Sequence, residues 1–245
     1  MTPGKVLAVA LTIVLSADAQ NPHPVNVALD VMARGTQTFY VDPAAGRNQL
    51  SIFSESELDD FAIVCNVVRG RWQFDPGNVE HLAGRFVVRV TDLTTGIGLR
   101  DRHLREPEWL DAANYPEILI AIDHGEQVKK ITPNSASLVL LAKLTLHGVT
   151  HDVRIPCALT YLDESPQTRK RTPGDLLRLR ASFEIRLSDF NVRGPPFPEF
   201  TSMRVADTLP VTVAVFGSTT RPASPPSLEK PITATHAADG GSRGV

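Results

Sequence analysis

From Gly84 onward apolar and polar residues alternate at period two, the signature of strands with one buried face. Phe86, Val88 and Val90 share a side opposite Arg85, Arg89 and Thr91, and Ile118, Ile120 and Ile122 repeat the pattern. Leu138, Leu140, Ala142, Leu144 and Leu146 follow, then Val153, Ile155, Cys157 and Leu159 against Asp152, Arg154 and Thr160. The longest alternation is Leu177, Leu179, Ala181, Phe183, Ile185 and Leu187 against Arg178, Arg180, Ser182, Glu184 and Arg186; Leu209, Val211, Val213 and Val215 complete the set. Before Gly84 the same signal is shorter: Leu50 with Ile52, Cys65 with Val67, Trp72 with Phe74.

A charged outer face on nearly every strand means that no second layer covers it, so the apolar faces must bury against one another. Strands of ten or more residues leave costly free edges unless the sheet closes. The pattern therefore predicts an all-β, antiparallel, closed barrel of about eight strands, whose interior either fills with side chains or holds one small ligand. Leu99 to Tyr115 breaks the period with a dense run of charge, predicting a short helical or loop segment in which Leu104, Trp109 and Leu110 cap one end. Arg100, Asp101 and His103 are expected to pin that cap.

Composition marks the boundaries. Residues 1–19 hold Lys5, an apolar run from Val6 to Leu15 and Ala17-Asp18-Ala19, a pattern expected of a signal peptide cleaved near Ala19 and hence of a periplasmic or secreted protein. Ten apolar residues fall short of the roughly 20 that span a bilayer, so the chain is not expected to cross a membrane. Residues 20–35 read as a lead-in, 36–217 as a single domain, and 218–245, rich in Pro, Ser, Thr and Gly, as a disordered tail. Glu164 to Gly174 reads as a long hairpin loop with four basic residues. Lys plus Arg is 25 and Asp plus Glu is 27, a net charge of −2. The basic excess of a nucleic-acid binder is missing. Two widely separated cysteines exclude a disulfide-dense scaffold or a CxxC site, although export would permit Cys65 and Cys157, both at inward parity, to pair.

GLRDRHLREPEWLDAANYPEI, Gly98 to Ile118, resembles the RD-x-HL-(x)n-F-x-D-A-x-x-Y-P-x-I stretch of the YceI-like family, with Trp109 at the aromatic position. LTLHGVTHDV (Leu144 to Val153) is similar to that family's L-T-x-x-G-V-T segment. FEIRLSDFNV (Phe183 to Val192) resembles its penultimate strand and turn, and VADTLPVTVAV (Val205 to Val215) its closing strand. The resemblance runs from about Asp42 to Gly217 and implies a lipocalin-like barrel that binds a long apolar chain such as an isoprenoid, polyprenyl quinone or fatty amide. The acidic stretch Ser54 to Phe61 departs from the family pattern and leaves the strand register around residues 47–68 open.

Catalytic signatures such as G-x-S-x-G, a phosphate-binding loop or H-E-x-x-H do not occur. His147 and His151 flank a Gly-Val-Thr turn without an evident third ligand, and no nucleophile stands near Asp101 and His103, so neither a catalytic nor a metal site is expected, and no cofactor. The residues expected to line a ligand cavity are Leu50, Ile52, Trp72, Phe74, Phe86, Val88, Val90, Leu104, Trp109, Ile118, Ile120, Leu138, Leu140, Leu179, Ala181, Phe183, Val211 and Val213. The expected partner is an isoprenoid or other long-chain lipid; a homodimer stays open. Two other functions remain: an enzyme acting on an apolar substrate in the same cavity, and a filled barrel serving as a protein-interaction module.

Overall fold

The structure, a computed structural model, describes residues 26–55, 60–194 and 205–222. The expected signal segment and most of the C-terminal tail lie outside the described residues. Among the described residues ten strands form one antiparallel sheet: β1 (Gln37–Val41), β2 (Gln49–Ser54), β3 (Phe61–Cys65), β4 (Arg69–Asp75), β5 (Asn78–Arg89), β6 (Glu117–Thr132), β7 (Ser135–Leu146), β8 (Val149–Leu162), β9 (Leu176–Arg186) and β10 (Thr208–Ser218). One short helix, α1 (Gly98–Leu104), lies between β5 and β6.

The sheet closes with eight staves because the first two staves are each broken. β9 occupies one side of β10 along its whole length. On the other side Val211–Ala214 pair with β2, and Gly217 and Ser218 pair with β1. β1 and β2 therefore run end to end. β3 and β4 do the same, pairing with β2 and β1 respectively. At the break Asp42 N donates to Phe216 O, and Phe216 N donates to Asn48 Oδ1, so the backbone of β10 stays satisfied where the ladder lapses. The early register that the sequence left open is thus settled: Leu50 stands opposite Cys65 and Ile52 opposite Ile63.

The inward sets are those of the alternation except at Cys65–Val67, where β3 ends at Cys65, Val67 is exposed and Val68 turns inward instead; the β7–β8 hairpin turns through His147 and Gly148, whose φ of 49° and 73° match the right-handed twist of the strands. One end of the barrel is sealed by aromatic rings. Phe39 stacks on Trp72 at 5.8 Å between ring centroids and meets Tyr161 edge-on at 5.8 Å, while Phe74 lies 6.2 Å from Tyr161. Tyr161 Oη donates to Asp175 Oδ2 at 2.6 Å, so its one polar atom is satisfied and its ring can be buried.

Beneath these rings runs a strap that the sequence reading assigns to a lead-in. Leu29 N donates to Pro76 O, Asp30 N to Pro133 O and Val79 N to Val27 O, carrying buried Leu29 and Val31 across the strand ends. A segment that crosses strand ends has no period, which is why the alternation misses it. The tail boundary moves as well. Ser218 ends β10 with its hydroxyl donating to Pro173 O, and Thr219 exchanges hydrogen bonds with Asp175, so residues 218–219 belong to the barrel floor. The expected loop from Glu164 to Gly174 is held by its own contacts: Glu164 accepts from Arg169 and from Gly174 N, and Arg171 reaches Ala45 O.

Candidate functional site

Above the aromatic floor the barrel is hollow. The cavity measures about 580 Å³, within the range of small-molecule sites. Its walls come from every stave. Ile118, Ile120, Ala181, Phe183, Ile185 and Val213 hold inward positions yet are only half buried, because their inner surfaces face empty space rather than one another. Mid-sized aliphatics at these positions leave the axis unfilled.

The open end is spanned by the chain between β5 and β6. Val64 and Thr94 exchange both backbone hydrogen bonds, which ties this segment to β3. Asp101 accepts from Thr94 Oγ1 at 2.6 Å, Thr95 N at 2.6 Å and Thr95 Oγ1 at 2.7 Å, fixing the entry to α1. Burial alone would raise the Asp101 carboxyl, but these hydrogen bonds outweigh it and hold the group below the usual aspartate range. Arg100 lies over the Phe61 ring at 4.4 Å from its centroid. On the far side of the opening Trp109 packs against Gly194, where a Cβ would come within 2.7 Å of the indole Cη2. Leu104, Trp109 and Leu110 form the underside of this cap.

Among the described residues, polar side chains touch the cavity only at this rim: Thr95, Arg100, His103, Glu106 and Glu108. Deeper down, the one heteroatom-bearing side chain among the described residues is Cys157, whose thiol burial pushes up to about 12. Such a thiol is not a nucleophile near neutral pH. Cys65 is also buried but does not reach the cavity; its Sγ accepts from Val67 N at 3.4 Å where β3 gives way to β4. Both cysteines are free, so the pairing that the sequence left open is not formed.

Of the residues expected to line the cavity, all do so except Trp72, Phe74, Val90 and Leu138. Trp72 and Phe74 have the expected parity but lie too deep, in the floor. Leu138 is also below the hollow, against Gly125, where a Cβ would come within 2.5 Å of Leu138 Cδ1. Val90 has left β5 for the 3-10 turn Val90–Asp92, so its side chain is buried beside the cap rather than facing the axis. Residues absent from the expected set include Ile63, Leu144, Ile155 and Val215, which the alternation could have supplied. Val68, Leu93, Val192 and Val205 sit in irregular segments that carry no periodic signal.

His147 and His151 each meet a backbone carbonyl of the turn that follows β9: His147 Nδ1 lies 3.2 Å from Phe190 O and His151 Nε2 2.9 Å from Asp189 O. Among the described residues no group of three or more His, Cys, Asp or Glu side chains could hold a metal ion. No helix among them is long and apolar enough to cross a membrane.

A hollow barrel with an aromatic floor and a cap built on the Gly98 to Ile118 stretch is the setting in which the sequence likeness can be judged. The YceI-like domain matches residues 39–216, from within β1 to within β10. The chain belongs to the YceI-like family. A UPF0312 protein of Enterobacter sp. (strain 638) is 32% identical over 123 residues, covering 50% of this chain and 58% of that protein. Protein YceI of Escherichia coli O157:H7 is 29% identical over 124 residues, or 51% and 59% of the two chains. The match thus spans less than two thirds of these relatives' own length. Among solved structures, BcnA of Burkholderia cenocepacia superposes with a TM-score of 0.55 at 19% identity, covering 72% of this chain and 98% of BcnA. A polyisoprenoid binding domain from Saccharophagus degradans gives 0.53 at 14%, covering 74% and 98%. At such identities these structures show that the YceI-like fold is shared.

Proposed function

We propose that this YceI-like protein holds one elongated apolar molecule, an isoprenoid, polyprenyl quinone or acyl chain, inside its barrel as an exported, non-enzymatic carrier or scavenger. The observation that carries this is the distribution of chemistry along the cavity: about 580 Å³ walled by aliphatic and aromatic side chains, with polar groups gathered at the open rim. A chain enters tail first, and any polar head stays beside Thr95, Arg100 and His103. The Saccharophagus degradans domain of the same fold is described as polyisoprenoid-binding, which supports the same class of guest here. The signal-like N-terminus supports export to the periplasm or beyond. The unreactive Cys157 leaves the depth of the cavity without a nucleophile, and its titratable groups, His103, Glu106 and Glu108, stand at the rim, which supports holding over turnover.

Two measurements test this. Native mass spectrometry of the purified protein, followed by extraction, should reveal a co-purifying apolar molecule. Affinity for a homologous series should rise by about 0.8 kcal/mol for each methylene removed from water, until the cavity is full, and then level off. Affinity that stays flat along the series overturns the proposal.

A further inference from the structure

On most staves the outward positions carry charge, as with Arg178, Arg180, Glu184 and Arg186 on β9. The β2–β3 pair departs from this. Its outward residues are Gln49, Ser51, Phe53, Ala62 and Val64, and Phe53 is 40% exposed. Phe53 stands opposite Ala62, and the Val64–Thr94 bridge brings the turn before α1 to the other side of β3. Ile97 at that turn is 50% exposed and Leu99, in the first turn of α1, 57%, while Val67, just beyond β3, is 43% exposed. Each of these large apolar side chains leaves about half of its surface to solvent.

These residues flank the cavity's opening, since Phe61, Thr95 and Arg100 line it within the same segments. A guest too apolar for water must arrive from and leave into a lipid phase, and an exposed apolar lip beside the opening is where such a phase would touch. Charge at the rim is mixed: Arg102 and His103 are exposed, as are Glu55, Asp60 and Glu108. That balance points to apolar insertion rather than attraction to an anionic surface. We propose that the lip formed by Phe53, Ile97 and Leu99 docks on a lipid bilayer, bringing the opening against the membrane surface. Its purpose rests on the lipid-holding reading above, but its measurement does not.

The experiment is vesicle flotation of the purified protein with phosphatidylcholine alone and with phosphatidylcholine containing phosphatidylglycerol. The protein should float with both, and flotation should survive about 0.5 M salt, where surface charges are screened. Ile97→Ser with Leu99→Ser should weaken it by about tenfold or more, while the melting temperature and the co-purified guest stay unchanged. Phe53→Ser is the second variant, on the other side of the same lip. Failure to float with either vesicle, flotation that needs phosphatidylglycerol and vanishes in salt, or variants that float like the parent overturns the proposal. So does a concentration-dependent dimer lost in the variants, which would assign the lip to a second copy. Flotation without any co-purified guest would retain the lip and remove the carrier reading.

Discussion

Gly217 of β10 lies directly against Trp72 of β4: a Cβ built at Gly217 would come within 2.2 Å of the indole Cη2. The ring reaches across β1 to the far stave, and the missing side chain is what lets it lie flat as part of the floor. Gly84 serves the other end of the same residue, since a Cβ there would come within 2.4 Å of Trp72 Cβ. Gly217→Ala should therefore destabilise the barrel by about 1–3 kcal/mol, the usual cost of overpacking. Thermal unfolding checks this, and an unchanged melting temperature would mean that the floor adjusts without strain.

Ala181 faces the hollow from β9 and is only half buried. Ala181→Phe should fill empty volume rather than displace neighbours, so the fold is kept and the longest accepted chain shortens. Val88→Trp, on the opposite wall, should act in the same direction. Titrating an acyl or isoprenoid series against both variants is the measurement; an unaltered length limit would place the guest elsewhere.

Asp101 has its folded pKa depressed, so its contribution to stability is present above the ordinary aspartate value of 3.8 and is lost as pH falls through the lower folded value. Asp101→Ala should loosen the cap, costing about 1 kcal/mol and speeding guest release, and should flatten that part of the acid-unfolding curve. Loss of turnover of a lipid substrate, with stability and retention both intact, would instead make Asp101 catalytic.

Burial raises both thiols, Cys65 and, more strongly, Cys157, which keeps them protonated at neutral pH. An alkylating reagent should leave the native protein almost unlabelled. After unfolding without reductant it should modify both cysteines. A single modified thiol or none in the unfolded protein would reveal a bond that these buried, free side chains do not form.

Period two reports which side of a strand a residue faces, and on that point Phe86, Ile120, Leu140 and Phe183 were legible at once. It does not report depth. Trp72 and Phe74 share the parity of the cavity wall and form the floor instead, because height along the axis depends on register with neighbouring strands, which no single strand encodes. Val90 shows a second limit, since a residue can keep the beat of its strand after the backbone has turned away. Leu29, Val31, Val68 and Val205 are core or wall residues of irregular segments and leave no pattern to read. Whether the interior is filled or hollow depends on how far opposite side chains reach toward one another, a sum over all the staves that only three dimensions supply.

The strap bearing Leu29 and Val31, together with the rings above it, makes the barrel a blind tube rather than a sleeve. A long guest cannot be threaded through from one side to the other. In the proposed carrier, the part of the guest that goes in first must come out last, and whatever sits near Arg100 and His103 is the end offered to an acceptor, at loading and unloading alike. Release then means drawing the whole tail back past Phe86 and Phe183. Residence time should lengthen with each added carbon, while the handle by which the guest is taken stays the same.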